Sequence, residues 1–244
     1  MFDVLITGGD VYDGSGAGPV AADVGVRGDR VAAVGRGLPR EAGAVVDAAG
    51  KAVCPGFINI LSHSHLSILH DPRSLGELTQ GVTTEVFGEG TSMGPLTPQL
   101  KAELERSSRG LDVAVSWTRL SEYLQHVERR GAAQNVASFI GAGTLRAGAV
   151  GYGDRPATPA ELDRMRAIAA EEMADGALGI ASALTYPPGS YAGTGELASL
   201  CEVAASYGGC YASHVRASAS SCTRPWASSC GSSAMPGCAG RCST

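Results

Sequence analysis

The chain has 244 residues, 44% hydrophobic and 18% charged, which is enough for one sizeable core with at most a small second unit. Its formal net charge is −5 and it has no basic run, so a nucleic-acid partner is not expected. No apolar stretch is long enough to span a bilayer, and the opening MFDVLITGGDVYDG lacks the order of a secretion leader, so no membrane partner is expected and the expected location is cytoplasmic.

The first part reads as short strands and tight turns. Residues 2–7 form a strand, Gly8-Gly9-Asp10 reads as its turn, and Val11 and Tyr12 start the next strand. Residues 22–26 alternate, Gly28-Asp29 turns, and residues 30–34 return as a hairpin partner. Val45 to Ala48 lead into Gly50. No helix follows Gly8-Gly9, so this glycine pair is not a phosphate loop. Residues 1–54 are therefore expected to be a small β-rich unit.

From Pro55 the rhythm changes to strand then helix. An apolar extended stretch covers 53–61, with 56–61 as the first strand of the new unit. A short helix over 72–80 is stopped by Gly81, and 82–87 is a second strand rich in β-branched residues. Residues 99–107 are helical, with a break at Gly110. Leu120, Tyr123, Leu124 and Val127 recur at helical spacing and predict an amphipathic helix over 120–130. A third strand covers 136–140. Thr158 as N-cap, Pro159 at the first helical position and Glu161 two residues on open a helix that runs to about Asp175 and stops at Gly176. A fourth strand covers 178–181, a helix 194–207 ends at Gly208-Gly209, and a fifth strand covers 210–214. This alternation predicts an α/β fold with a parallel sheet. A closed (β/α)8 barrel needs eight strands and about 250 residues, so only a partial barrel of the TIM type is expected.

The chemistry gathers where strands end, as it does in such sheets. His63-Ser64-His65 follows the first barrel strand. Residues two apart on a strand point to one face, so both imidazoles could hold one metal ion if the strand continues. The alternative is a polar loop that contains two histidines. Glu89, in Gly88-Glu89-Gly90 after the second strand, is another possible ligand or an ordinary loop glutamate. His214 ends the fifth strand, and Arg216 would share its face. His70 and His126 read as surface or supporting residues.

The segments CPGFIN, HSH, QGVTTEVFGEG, GAGTLRAGAVGYGD, LTYPPGSY and GGCYASHVR together resemble the amidohydrolase superfamily, and within it the N-acyl-D-amino-acid deacylase (D-aminoacylase) family. The resemblance covers roughly residues 1–216 and matches the N-terminal half of that family. It implies a partial (β/α)8 metallo-dependent hydrolase barrel over 55–216, with residues 1–54 as the N-terminal part of a flanking β-sandwich. It also implies zinc, and hydrolysis of the linear amide of a small-molecule N-acyl-D-amino acid. The metal ligands would come from His63, His65, Glu89 and His214, and substrate contacts from Tyr186 and Arg216.

The match is imperfect. Asn59 stands where the family has an aspartate, and Leu61 where it has the first histidine of its metal pair; His63 matches the second, and His65 offers a displaced replacement. Glycine occupies the place of the family's cysteine ligand, which leaves Glu89 nearest. A carbamylated lysine is not available, since Lys51 and Lys101 are the chain's two lysines and neither ends the fourth strand. The family's later histidine and its general-base aspartate would lie beyond Arg216. The expectation is a chain that is truncated and inactive by itself, open to self-association through an exposed barrel edge. Two alternatives stand beside it: a non-enzymatic degenerate fragment, and a cyclic amidase or deaminase of the same superfamily. The GTLR and TYPPG segments favour the deacylase branch.

Residues 217–244 differ in character. They contain eight serines, no Asp, Glu, Lys or His, and Cys222, Cys230, Cys238 and Cys242 without a CxxC pair. With 17 Arg against two Lys in the whole chain, GC-rich coding is implied, and the tail is expected to be out of its ancestral frame after Arg216. A genuine disordered tail is the alternative.

Overall fold

A computed structural model describes residues 1–111 and 113–214, and separates the chain into two compact units, Met1–Phe57 and the part from Ile58 onward. Arg216 and the 217–244 tail, with the expectations attached to them, lie outside the described residues.

The first unit is one sheet made of β1 (Phe2–Val11), β2 (Val20–Arg27), β3 (Arg30–Gly35), β4 (Ala42–Asp47) and β5 (Ala52–Val53). Its order is β3-β2-β1-β4, with β5 also on β1; the β1–β2 and β2–β3 pairs are antiparallel and the β1–β4 and β1–β5 pairs parallel. The hairpin turn at Gly28-Asp29 is as expected, with Arg27 opposite Arg30 and Gly28 at φ +58°. The glycine pair at 8–9 is not a turn. β1 runs straight through it as a bulge, with the register shifting between Ile6 and Gly9. Gly8 takes φ +71° and donates its N–H to Asp23 Oδ1 at 2.9 Å. A Cβ on Gly9 would stand 2.5 Å from Val53 Cγ2, so the close strand β5 demands glycine there.

The division falls just inside β6 (Phe57–Asn59), and the second unit continues with two single-turn helices, α1 (Ser67–His70) and α2 (Leu75–Leu78). It continues through β7 (Val82–Phe87), α3 (Pro98–Ser107), α4 (Leu120–Arg130), β8 (Asn135–Ser138), β9 (Ile140–Gly141) and α5 (Ala142–Ala149). It ends with α6 (Pro159–Ala174), β10 (Gly179–Ala183), a 3-10 turn at Gly189–Tyr191, α7 (Thr194–Ser206) and β11 (Cys210–His214). Strand then helix recurs as expected. The third strand, expected as one piece, is divided at Phe139 between two sheets, β6-β7-β8 and β9-β10-β11. Phe139 N–H donates to Phe87 O at 2.9 Å, and Leu178 N–H donates to Ser138 O at 3.0 Å. One segment thus serves both neighbours, and five staves follow in chain order, with the β7–β8, β9–β10 and β10–β11 pairs parallel.

Local chemistry accounts for the helices. α4 covers the range its apolar spacing predicts and stops at Gly131, which takes φ +81°. α6 opens with a full capping box: Thr158 Oγ1 accepts Glu161 N–H at 3.3 Å, and Glu161 Oε2 accepts Thr158 N–H at 2.8 Å. α5 has no apolar stripe because Ala142 to Arg146 are all buried, so no face of its first turns meets water.

The core joins both sheets to their helices through Phe87, Trp117, Tyr123, Ile140, Met165, Ile180 and Leu200, all buried. Each such side chain stabilises the fold by about 1.5–3 kcal/mol. The polar atoms among them are paired: Trp117 Nε1–H donates to Met93 O at 2.7 Å and Tyr123 O–H to His65 O at 2.8 Å. Buried Arg146 on α5 donates to Glu196 Oε2 on α7 at 2.6 Å and to Arg155 O. Among the described residues no helix is long and apolar enough to cross a membrane.

Candidate functional site

Glu89 is the centre of the site, and glycine backbone puts it there. β7 ends at Phe87, and the chain turns through Gly88 at φ +99° and Gly90 at φ +69°. A Cβ on Gly88 would lie 2.2 Å from Phe139 O, and one on Gly90 2.6 Å from Ala183 Cβ. The turn is wedged against the neighbouring strands, and the Glu89 side chain is left only 13% exposed.

Two histidines face its two oxygens. His214 Nδ1, at the end of β11, lies 3.4 Å from Glu89 Oε1, and His63 Nε2 lies 3.8 Å from Oε2. Zinc bonds to nitrogen and oxygen are near 2.0–2.1 Å, which sets neighbouring corners of a tetrahedral site about 3.4 Å apart. The His214–Glu89 pair fits two such corners, and the His63–Glu89 pair is slightly wide. Among the described residues no three His, Cys, Asp or Glu side chains are placed to share one ion. The donors are of the right kind and in pairs, and the set is incomplete.

The shared face expected for His63 and His65 is not formed. β6 stops at Asn59, whose Oδ1 accepts Leu61 N–H at 3.2 Å and so turns the chain out of the strand. Ser62 Oγ accepts Ser64 N–H at 3.2 Å and tightens the turn further. His63 therefore reaches Glu89 from an exposed loop, while the His65 ring is half-buried and sits edge-on to Phe87 at 6.1 Å. Burial pushes the His65 imidazole down to about 4, with the His63 charge as a second cause, so it is neutral at pH 7. His126 sits tilted at 5.4 Å from the Trp117 ring, and His70 Nδ1 lies 3.1 Å from Leu111 O. Tyr186 is exposed in the segment after β10, where its carbonyl accepts Ser190 N–H at 2.9 Å.

Glu85 was not singled out by the sequence. It is fully buried in β7 and accepts Ser62 Oγ–H at 2.6 Å and Ser74 Oγ–H at 3.0 Å. This ties down the loop that carries His63. Ser74 is held at φ 42°, the one positive φ outside glycine among the described residues. A carboxylate inside the apolar run VTTEVF was the available signal, since a buried charge needs partners.

Staves in chain order, helices between them and a carboxylate–imidazole cluster at the strand ends define a partial (β/α)8 metallo-hydrolase barrel. The D-aminoacylase of Alcaligenes xylosoxydans xylosoxydans is 38% identical over 217 residues, which span 88% of this chain and 44% of that protein. A crystal structure of D-aminoacylase superposes with a TM-score of 0.76 at 37% identity, covering 89% of this chain and 46% of the other. N-acyl-D-glutamate deacylase from Bordetella bronchiseptica, solved with zinc and a phosphonate that mimics the tetrahedral intermediate, superposes at 0.78 with 32% identity, covering 88% and 45%. No protein-family model matches the chain. The chain belongs to the D-aminoacylase-like family of the amidohydrolase superfamily over most of its length. It spans less than half the length of each of these relatives.

Proposed function

We propose that this chain carries the ion- and substrate-holding part of an amide hydrolase site for N-acyl-D-amino acids and does not complete turnover by itself. The observation that carries this is the Glu89 carboxylate set between His214 and His63 at 3.4 and 3.8 Å. Glu89 and His214 would hold the ion, with His63 facing the other carboxylate oxygen and the half-buried His65 imidazole two residues further along the loop. A bound zinc ion supplies polarisation of the amide carbonyl and acidification of water.

The chain's own residues do the rest of the positioning. Glu85 anchors the His63 loop through Ser62, and the Gly88–Gly90 turn fixes Glu89 against β10. On β11, Ser213 Oγ lies 2.9 Å from Ser182 Oγ of β10, which sets the strand register just before His214. Tyr186 and Arg216 are assigned to the substrate, Tyr186 being the exposed aromatic past the end of β10. A second possibility, a chain that binds without chemistry, is favoured by the lack of a third converging ligand among the described residues.

Titration of the full chain with Zn2+ tests the assignment. Binding that is weakened in Glu89→Gln and His214→Ala supports it. Incubation with N-acetyl-D-methionine should release no free amino acid, and zinc-dependent release that is lost in His214→Ala would overturn the inactive part of the proposal.

A further inference from the structure

Ala183, which ends β10, meets both arms of the site. It lies in register with His214 on β11, and the next N–H, of Leu184, donates to His214 O at 3.1 Å. Paired residues of adjacent parallel strands sit roughly 4.8 Å apart and point to one face of the sheet, so Ala183 and His214 share a face. The Glu89 turn rests on the same residue. A Cβ on Gly90 would lie 2.6 Å from Ala183 Cβ and 3.4 Å from Ala183 Cα. Gly90 Cα therefore packs directly on the Ala183 methyl, and a larger side chain at 183 would compete with Gly90 for space.

The turn has little room to retreat. Gly143, in the first turn of α5, donates its N–H to Gly90 O at 2.8 Å. A Cβ on Gly141 would lie 2.7 Å from that carbonyl oxygen, and one on Gly143 2.6 Å. The start of α5 thus closes on Gly90 through two glycines, while β10 meets it through one methyl group. Ala183 is itself crowded from the segment that follows β10, where a Cβ on Gly189 would lie 2.5 Å from Ala183 O. Backbone contacts on Gly90 and on Ala183 leave the methyl as the adjustable part between the Glu89 turn and the His214 strand.

We propose that Ala183 is a positioning residue: its methyl sets the 3.4 Å separation of Glu89 Oε1 from His214 Nδ1, and through it the size of ion the pair accepts. An ion with longer bonds needs its ligands further apart, so a fixed gap favours Zn2+ over a larger ion of the same charge. The selectivity rests on the ion site proposed above, while the spacing is a property of the chain without any ion.

Crystal structures of the full chain and its variants, with calorimetric titration by Zn2+ and by the larger Cd2+, test this. Ala183→Val should widen the gap and lower Zn2+ affinity by about tenfold or more, as disturbing the support of a ligand does, with a smaller loss for Cd2+. Ala183→Gly removes the methyl without a clash, so it keeps the test decisive if Ala183→Val fails to fold. It should narrow the gap and raise the ratio of Zn2+ to Cd2+ affinity. A merely structural role lowers both affinities by one factor and leaves the ratio where it was, and that result would overturn the proposal. So would a gap that stays the same in either folded variant. If the unaltered chain binds neither ion, the ion site fails, and the crystallographic gap alone decides whether Ala183 sets the spacing.

Discussion

Gly88 passes so close to Phe139 that a Cβ on the glycine would lie 2.2 Å from the phenylalanine carbonyl oxygen. Contact and conformation demand the same residue, because Gly88 also sits at φ +99°. Gly88→Ala should therefore destabilise the chain by about 1–3 kcal/mol from backbone strain alone, more with the clash, and shift Glu89 away from His214. Chemical denaturation and Zn2+ titration of the variant measure the two effects. A variant with unchanged stability and zinc affinity would show that the turn tolerates a side chain.

The two histidines of HSH should behave differently. His63→Ala leaves an exposed loop with one contact fewer, so its effect should fall on zinc affinity. His65→Ala removes a half-buried ring packed on Phe87 and should cost about 0.5–2 kcal/mol of stability. Thermal melts with and without Zn2+ separate the outcomes. Ion binding at 100 times its Kd raises stability by about 2.7 kcal/mol, and that increment should shrink most in Glu89→Gln and His214→Ala.

Arg146 and Glu196 form a buried pair at 2.6 Å between α5 and α7. Removing one partner leaves an uncompensated charge in the core, so Arg146→Met should cost about 3–5 kcal/mol. Pairing it with Glu196→Leu should recover part of the loss. Urea denaturation of the two single variants and the double variant measures the coupling.

The α6 cap gives a pH dependence. Glu161 is lowered from 4.5 to about 2, first by the Arg155 guanidinium and then by Thr158 N–H. A carboxylate with a lowered folded-state value stabilises above its unfolded value. That contribution is intact above about pH 4.5 and is lost as pH falls through about 2. The melting temperature of Glu161→Gln should fall below that of the unaltered chain at pH 7, and the two should converge near pH 2. Thr158→Ala should cost about 1 kcal/mol.

Among the described residues β6 is an edge strand of its sheet, and apolar residues lie along it. Ile58 is 60% and Ile60 58% exposed, on and just beyond β6. Such an edge invites self-association. Light scattering should show the chain forming larger species with rising concentration, and Ile58→Lys with Ile60→Glu should reduce them.

What the sequence conveyed depended on the range of the forces involved. α4 and the cap of α6 are local, set by apolar spacing and by Thr158 with Glu161, and both were legible. The division of the third strand was not, because it depends on Phe87 and Leu178 bonding to the N–H and the C=O of the Ser138–Phe139 peptide. The pair Gly8-Gly9 looked like a turn because its reason, the approach of Val53, lies far along the chain. The HSH pattern suggested a shared strand face, yet Asn59 ends the strand before the histidines begin. α5 went unseen because its first turns, Ala142 to Arg146, are buried on every side and leave no polar face to set a period. Glu89 and His214 were both legible as strand-end donors, and their meeting was not, because it depends on the packing of all the intervening strands.

The division at Phe139 has a mechanical consequence. Glu89 follows β7 of the sheet built on β6, β7 and β8, and His214 ends β11 of the sheet built on β9, β10 and β11, so the two donors come from different sheets. A cation held by both would bridge the two sheets, adding one more tie to those that the main chain already makes across Phe139.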